Sequence, residues 1–367
     1  MNFSYWEIKT WLSNIDFTII GSGIVGLNCA IQLKERFPKS NVLVLEKGML
    51  PQGASTKNAG FACFGSLSEL VDDLSTHTEQ EVINLVKKRV DGLKLLRHTL
   101  GDSNIDFQQN GGYELFFESD DLLEQCIAER DRINNLLRPV FNSDVFNLKY
   151  NEFKNINKQC FFNPFEGQID TGKMMVSLLQ LAQKKGVKIL NNISVDSFSE
   201  DFNSVMIKTN KLDFVTSKLL ITTNGFASEL INEKVSPARA QVLVTKPIKN
   251  LKIKGTFHLD RGYYYFRNID NRILLGGGRN MDIKGETTTK FGQTQDIQNR
   301  LEELLKTVIL PNKDYEIDHR WSGIMGVGNK KEAIVKQLGN NVFCGVRLGG
   351  MGVAIGSLIG KELANLV

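Results

Sequence analysis

Proline is scarce in this chain, with 7 in 367 residues, and no internal repeat or low-complexity segment interrupts it. Pro-rich linkers, collagen-like repeats and disordered tracts are excluded, and 41% apolar residues supply a sizeable core. Histidine is scarcer still, four in total and none at H-x-x-H or H-x-x-x-H spacing, so no metal site is expected. The five cysteines (Cys29, Cys63, Cys126, Cys160 and Cys344) are scattered and never form a C-x-x-C pair. Such usage reads as reduced thiols in a cytoplasmic protein, not as a disulfide framework or a zinc site. An excess of one charge is lacking too. Lys and Arg number 45 against 41 acidic residues, a net charge of +4 with no long basic run, so no nucleic-acid partner is expected.

A membrane span is also missing. Residues Phe17 to Leu33 carry no charge, but Gly21, Ser22, Gly23, Gly26, Asn28 and Gln32 interrupt the stretch. It also falls short of the roughly 20 residues that cross a bilayer. Upstream, Tyr5, Trp6, Ile8, Trp11 and Leu12 recur at helical spacing, and this aromatic face is expected to pack on its own domain.

What the chain does have is 32 glycines, and their placement is informative. Gly21-Ser22-Gly23-Ile24-Val25-Gly26 is a G-x-G-x-x-G run after a predicted strand, Asp16 to Ile20, and before a predicted helix ending near Pro38. Gly21 makes the tight turn, Gly23 admits a pyrophosphate against the backbone, and Gly26 lets helix and strand pack closely. The diphosphate then meets free N–H groups at the positive end of the helix. A second strand, Asn41 to Leu45, leads into Glu46 and Lys47, and Glu46 is placed to accept ribose hydroxyls.

Three further segments choose FAD over a nicotinamide cofactor. Gly53-Ala54-Ser55-Thr56-Lys57-Asn58-Ala59-Gly60-Phe61 offers hydroxyls and small residues where a long cofactor continues toward its ring. The strand Leu219 to Thr222 runs into Thr223-Asn224-Gly225. Arg347-Leu348-Gly349-Gly350-Met351-Gly352-Val353-Ala354-Ile355-Gly356 precedes a final helix read as Gly356 to Leu366. Its backbone N–H groups suit negative charge on the pyrimidine end of a reduced flavin. Between these segments a helix is read over Thr171 to Lys185 and another over Thr294 to Val308. Strands are read at Gly111–Ser119 (antiparallel in pattern), Val187–Leu190, Val205–Lys208, Ala240–Thr245, Gly262–Arg267, Arg272–Leu275 and Val342–Cys344.

On these residues the sequence resembles the FAD-dependent D-amino-acid-oxidase-like superfamily, from about Asp16 to the C-terminus. The chain is most similar to the γ-glutamylputrescine oxidoreductase, glycine oxidase and sarcosine oxidase branches, and its Gly53–Gly60 loop and Tyr263–Arg279 block resemble the γ-glutamylputrescine oxidoreductase branch more than the D-amino-acid oxidases. The resemblance implies an α/β fold with a Rossmann-type FAD domain and a second, mainly antiparallel β-sheet plus helices substrate domain. The FAD domain is expected over residues 1–85, 150–235 and 320–367, and the substrate domain over 86–149 and 236–319. Val195 falls where the family's adenine-contacting backbone lies. The implied reaction oxidises the C–N bond of an amine or amino acid by hydride transfer to flavin N5, with the imine then hydrolysed. The acceptor is left open between oxygen and a quinone.

For the chemistry, Arg347, Lys57 and Tyr265 are the expected catalytic side chains. Arg347, Arg279, Tyr263, Tyr265 and Met325 are the expected substrate contacts, because an Arg fork and tyrosine hydroxyls hold a carboxylate. Alternation along a strand keeps Tyr264 off the face of its neighbours. His319-Arg320-Trp321-Ser322-Gly323-Ile324-Met325-Gly326 resembles the family's Trp-x-Gly segment but has Met325 and Gly326 where several relatives carry the carboxylate-binding Arg. It also lacks the cysteine that links flavin covalently in sarcosine-oxidase relatives, so FAD is expected to be non-covalent. Cys63 and Cys344 are expected to be buried thiols. Two other functions fit the same motifs: an FAD-dependent dehydrogenase of a 2-hydroxy acid or polyol phosphate, and a non-catalytic flavin-binding module.

Overall fold

The computed structural model describes residues 2–119 and 121–367. Two eight-stranded sheets organise these residues. The first has a parallel core in the order Val342–Val346, Asp213–Ile221, Ile15–Ile20, Val42–Leu45, Lys188–Leu190. Ile15–Ile20 and Val42–Leu45 are almost wholly buried apolar runs, as parallel strands covered on both faces must be. Ile334–Gln337, Val205–Thr209 and Val195–Glu200 extend this sheet antiparallel.

Helices Ile24–Arg36 and Gly352–Ala364 pack together at glycines. A Cβ on Gly360 would come 2.7 Å from Asn28 Cβ, and one on Gly356 2.6 Å from Ile24 Cγ2. The last helix therefore starts at Gly352, four residues before the sequence reading, and Gly352 to Ile355 form its first turn. The helix read over Thr294 to Val308 is α-helical over Gln295–Leu304 and continues as a π-helical turn, Leu305–Ile309.

The second sheet runs Ile317–Val327, Ser236–Thr245, Arg272–Gly277, Tyr264–Ile269, Thr256–Leu259, Gly112–Leu115, Gln159–Asn163, Asn147–Tyr150. One pair breaks its antiparallel rule. Gly112–Leu115 lies parallel to Thr256–Leu259 and antiparallel to Gln159–Asn163. The residues 147–163 and 317–327 thus belong to the second sheet, against sequence boundaries drawn at 150 and 320. Helix Glu79–Leu100, which the sequence boundary between 85 and 86 divides, is one continuous element and packs on Gly352–Ala364, where a Cβ on Gly92 would meet the Ala354 carbonyl.

The N-terminal segment departs further from expectation. Tyr5–Glu7 is helical and continues as a π-helical turn, Ile8–Leu12, with no buried residue in either. Tyr5 is 66% exposed and Trp6 69%, so this aromatic face does not pack on its own domain. The Ser4–Glu7 capping box satisfies the local backbone and lets the turn form without a tertiary partner.

Candidate active site

At the C-terminal end of Ile15–Ile20 the chain turns through Gly21 at φ +103° and opens the helix at Ile24. The three fingerprint glycines do separate work. Only glycine readily takes the Gly21 backbone, a Cβ on Gly23 would lie 2.9 Å from Ser55 Oγ, and one on Gly26 would strike the Gly21 carbonyl. Ile24 N–H donates to Ser55 Oγ at 2.9 Å, which fastens the 53–60 loop to the helix start. Glu46 is buried, and its carboxylate accepts from Ser22 N–H (3.1 Å), Ser22 Oγ–H (2.7 Å) and Gly48 N–H (2.9 Å). Three donors fix the carboxylate in place, and a carboxylate has capacity for about one more.

From this end a cavity of about 810 Å³ extends between the two sheets. Such a volume lies within the roughly 300–1,000 Å³ of ligand sites. Gly21, Gly23, Ile24, Val25, Glu46 and Lys47 line its first end. Ser55, Lys57, Asn58, Ala59 and Gly60 follow along one wall, with Val195, Thr223 and Asn224. Gly349, Gly350 and Met351 line it from the turn before the last helix, Gly352, Val353 and Ala354 from that helix's first turn, and Tyr263, Tyr265, Arg279 and Met325 from the second sheet and its turns. Segments far apart in the chain thus meet on one space.

Five expected residues stand off this wall. Ser22 is spent on holding Glu46. Gly26 faces Gly21, and Gly225 lies against the Met325 carbonyl, where a Cβ would approach to 2.5 Å. Thr56 Oγ–H donates to the Pro51 carbonyl at 2.6 Å. Arg347 is the substantive correction. Its backbone sits in the left-handed region, φ +65°, and its guanidinium donates to the Glu332 (3.0 Å) and Lys234 (3.3 Å) carbonyls. The side chain ties surface loops together and does not line the cavity. Asn224 secures the same turn, its Oδ1 accepting from Arg347 N–H at 3.1 Å and Leu348 N–H at 3.2 Å.

On the second sheet, Tyr264 is buried in the core while Tyr265 lines the cavity, as alternation requires, and Tyr263 lines it from the turn just before the strand. Burial pushes the Tyr265 hydroxyl up to about 12, so it is a neutral donor. Trp321 Nε1–H donates to the Lys57 carbonyl at 2.9 Å, which braces the loop carrying Lys57 against the Trp-x-Gly strand. Lys57 Nζ stands 5.7 Å over the Phe291 ring. Cys63 also lines the cavity, with Sγ 3.9 Å from Met351 Sδ, and burial pushes its thiol well up. Cys344 is buried in the first sheet, off the cavity.

The cavity also takes in Glu69, Asp72, His258, Arg261 and Lys331, none of which the sequence reading singled out. A lone histidine in the apolar strand Thr256–Leu259 was the one available signal.

The donors and glycines of this cavity fit FAD. Gly21 and Gly23 leave the backbone clear where a diphosphate would lie, Glu46 has a remaining lone pair that a ribose hydroxyl would meet, and Thr223 Oγ is a buried cavity-lining hydroxyl lacking a partner. A family profile described as "FAD dependent oxidoreductase" (DAO) matches residues 16–366. The chain belongs to that family. Its FAD is the family's cofactor, and the chain is an oxidoreductase.

Among curated relatives it is similar to the probable oxidoreductase OrdL of Haemophilus influenzae, 21% identical over 98% of this chain and 84% of that one. Gamma-glutamylputrescine oxidoreductase of Escherichia coli is 22% identical over 96% and 83%. The mitochondrial L-2-hydroxyglutarate dehydrogenase of Bos taurus is 24% identical over 76% and 64%. Of solved structures, L-proline dehydrogenase from P. horikoshii shares the fold at TM-score 0.76 and 18% identity, covering 96% of this chain and 93% of that one. Glycine oxidase from Geobacillus kaustophilus does so at 0.74 and 16%, covering 96% and 94%. Among the described residues no helix is long and apolar enough to cross a membrane.

Proposed function

We propose that this oxidoreductase oxidises the C–N bond of an amine or amino acid that also carries a carboxylate. The carrying observation is that the cavity presents both signs of charge beside its tyrosines: Arg261 and Arg279 with Tyr263 and Tyr265, and Glu69 and Asp72. A guanidinium and phenol hydroxyls hold a carboxylate, and acidic side chains hold an ammonium group.

Bound FAD supplies the two-electron acceptor. The chain's own task is to bind, orient and dry the substrate. Arg279 follows Gly277 and Gly278, both at positive φ, so this tight turn delivers the guanidinium to the cavity from the edge of the second sheet. Tyr265, held neutral, donates a hydrogen bond and cannot compete as an anion. FAD is held without a covalent link, because the Cys63 thiol is buried and its thiolate is disfavoured.

A second reading keeps the carboxylate anchor and changes the bond to the C–O of a 2-hydroxy acid, favoured by the similarity to L-2-hydroxyglutarate dehydrogenase. Anaerobic photometric titration of the purified holoprotein decides between them. Flavin bleaching by glycine, L-proline or γ-glutamylputrescine supports amine oxidation. Bleaching by L-2-hydroxyglutarate with silence toward the amines replaces it with the second reading.

A further inference from the structure

Oxidising a C–N or C–O bond releases a proton besides the hydride, and that proton needs an acceptor. Beside the cavity, and sharing His258 with it, lies a small chamber of about 10 Å³ whose polar lining includes His258, Glu114, Glu166 and Asn163. Among the described residues, His258 alone borders both the chamber and the cavity. It is 8% exposed, and its ring stands edge-on to Phe61 at 5.1 Å. Its Nε2 points at Glu166 Oε2 across 3.9 Å and has no hydrogen-bond partner, and the same holds for the buried Nδ2 of Asn163. The space is at the lower bound for one water, which two such orphan groups and a carboxyl would hold.

The chamber is built into the fold. Glu166 Oε1 accepts from Phe64 N–H at 2.9 Å, and a Cβ on Gly112 would collide with its other oxygen. Glu114 stands opposite His258 in the parallel register and accepts from Ser68 N–H (3.2 Å) and Ser68 Oγ–H. The other charged or titratable groups around the pair are Glu69, Arg89, Cys63, Tyr113 on the chamber wall and Tyr265, which stands opposite His258 in the antiparallel register; burial holds both phenols neutral. Arg89 is itself buried and donates to the Phe64 carbonyl at 2.6 Å.

We propose that His258 accepts the proton the substrate loses, and that Glu166 is the positioning residue whose carboxylate, facing Nε2 across the chamber, stabilises the imidazolium so formed. This rests on the oxidation reading of the cavity. The substrate's N–H or O–H bond breaks and its proton forms a new N–H bond at Nδ1, the ring nitrogen not turned to Glu166; the electron pair left on nitrogen or oxygen becomes the second bond to carbon as the C–H pair leaves as hydride. The positive charge so created faces the Glu166 carboxylate. Burial pushes Glu166 up to about 8 and Glu114 to about 7, and pushes His258 down. Above about pH 8 the pair therefore stands as carboxylate and neutral imidazole, the form that accepts one proton.

Photochemical reduction of the bound flavin brings negative charge into the cavity without any substrate, so it tests the pair directly. At about pH 9 the wild-type holoprotein is expected to take up about one more proton per flavin than Glu166→Gln, read with a pH dye in weakly buffered solution. His258→Gln is expected to lose the same proton, which keeps the test decisive should one variant fold poorly. Equal uptake in wild type and variants overturns the proposal. With glycine, L-proline or L-2-hydroxyglutarate as probe, the rise of kcat/KM through about pH 8 is expected to vanish in Glu166→Gln with KM little changed. Should uptake differ while none of these probes bleaches the flavin, the proton pair stands and the oxidation reading is what fails.

Discussion

At the nucleotide end of the cavity, Gly21, Gly23 and Glu46 act through backbone clearance and one pinned carboxylate. At the other end, Arg261, Arg279, Tyr263, Tyr265, Glu69 and His258 act through side chains brought in from four separate segments. The first is a local device, fixed within the 32 residues from Ile15 to Glu46 by two paired strands, one turn and one helix. The second exists only after helix Leu67–Leu74, which carries Glu69, has packed against the second sheet beside Gly262. What the contrast teaches is where substitution hurts. On the proposed reading, a change at the nucleotide end is expected to remove the cofactor, whereas a change at the other end is expected to alter which molecule meets it.

The strongest way to break this contrast is Gly23→Val. Its Cβ starts 2.9 Å from Ser55 Oγ, and further branches enter the space reserved for the diphosphate. The variant is expected to purify without flavin, read as the ratio of flavin to protein absorbance. Stoichiometric flavin in a folded Gly23→Val protein would falsify the division of labour between the two ends.

Next in size is the cost of the buried acids beside that other end of the cavity. Glu166 binds its proton more tightly in the folded chain, where it titrates at about 8, than in the unfolded chain at roughly 4.3. That contribution is present in full below about pH 4 and is lost as pH rises through about 8. Each tenfold gain in proton affinity on folding is worth about 1.4 kcal/mol, so the effect amounts to a few kcal/mol. Glu166→Gln removes the titration. Between about pH 5 and pH 9, urea melts should show the variant gaining on wild type by that order. Parallel stability curves would mean that Glu166 is not held protonated.

Smaller again is a paired test of two arginines. Arg279→Ala should raise KM for a carboxylate-bearing substrate about 10- to 100-fold, the loss of a charge-assisted hydrogen bond of about 1.5–3 kcal/mol. Flavin content should be unchanged. Arg347→Ala should leave KM within about twofold and lower stability by about 1 kcal/mol, since it frees two loop carbonyls at the surface. The reverse pattern in steady-state kinetics would restore Arg347 to the site.

These two arginines also show how far the sequence could be read. The strand, the glycines and Glu46 were legible because their spacing encodes a local geometry that little else can alter. The same locality made Ser55 worth noticing, although its bond to Ile24 N–H joins residues 31 apart in sequence. Arg347 was misread because adjacency to Gly349 and Gly350 says nothing about direction. Its left-handed backbone, with Asn224 beneath it, turns the side chain away from the cavity. His258 and Glu166 could not be paired from sequence. Their meeting depends on the parallel register of Thr256–Leu259 with Gly112–Leu115, the one pair that departs from the sheet's antiparallel rule.

The smallest expected effect lies outside both ends of the cavity. Trp6 and Trp11 carry the aromatic spacing that suggested packing, yet they are 69% and 41% exposed, and neither lines the cavity. An exposed side chain with no buried contact contributes within about 0.5 kcal/mol. Trp6→Ala and Trp11→Ala should therefore leave urea midpoints, flavin content and KM unchanged within error. A loss of about 2 kcal/mol or more, the size of a fully buried large apolar side chain, would show that this helix packs on the fold in solution. In that case the cavity's nucleotide end would have support beyond its own strands, turn and helix, and the account of it as a self-contained local device would have to change.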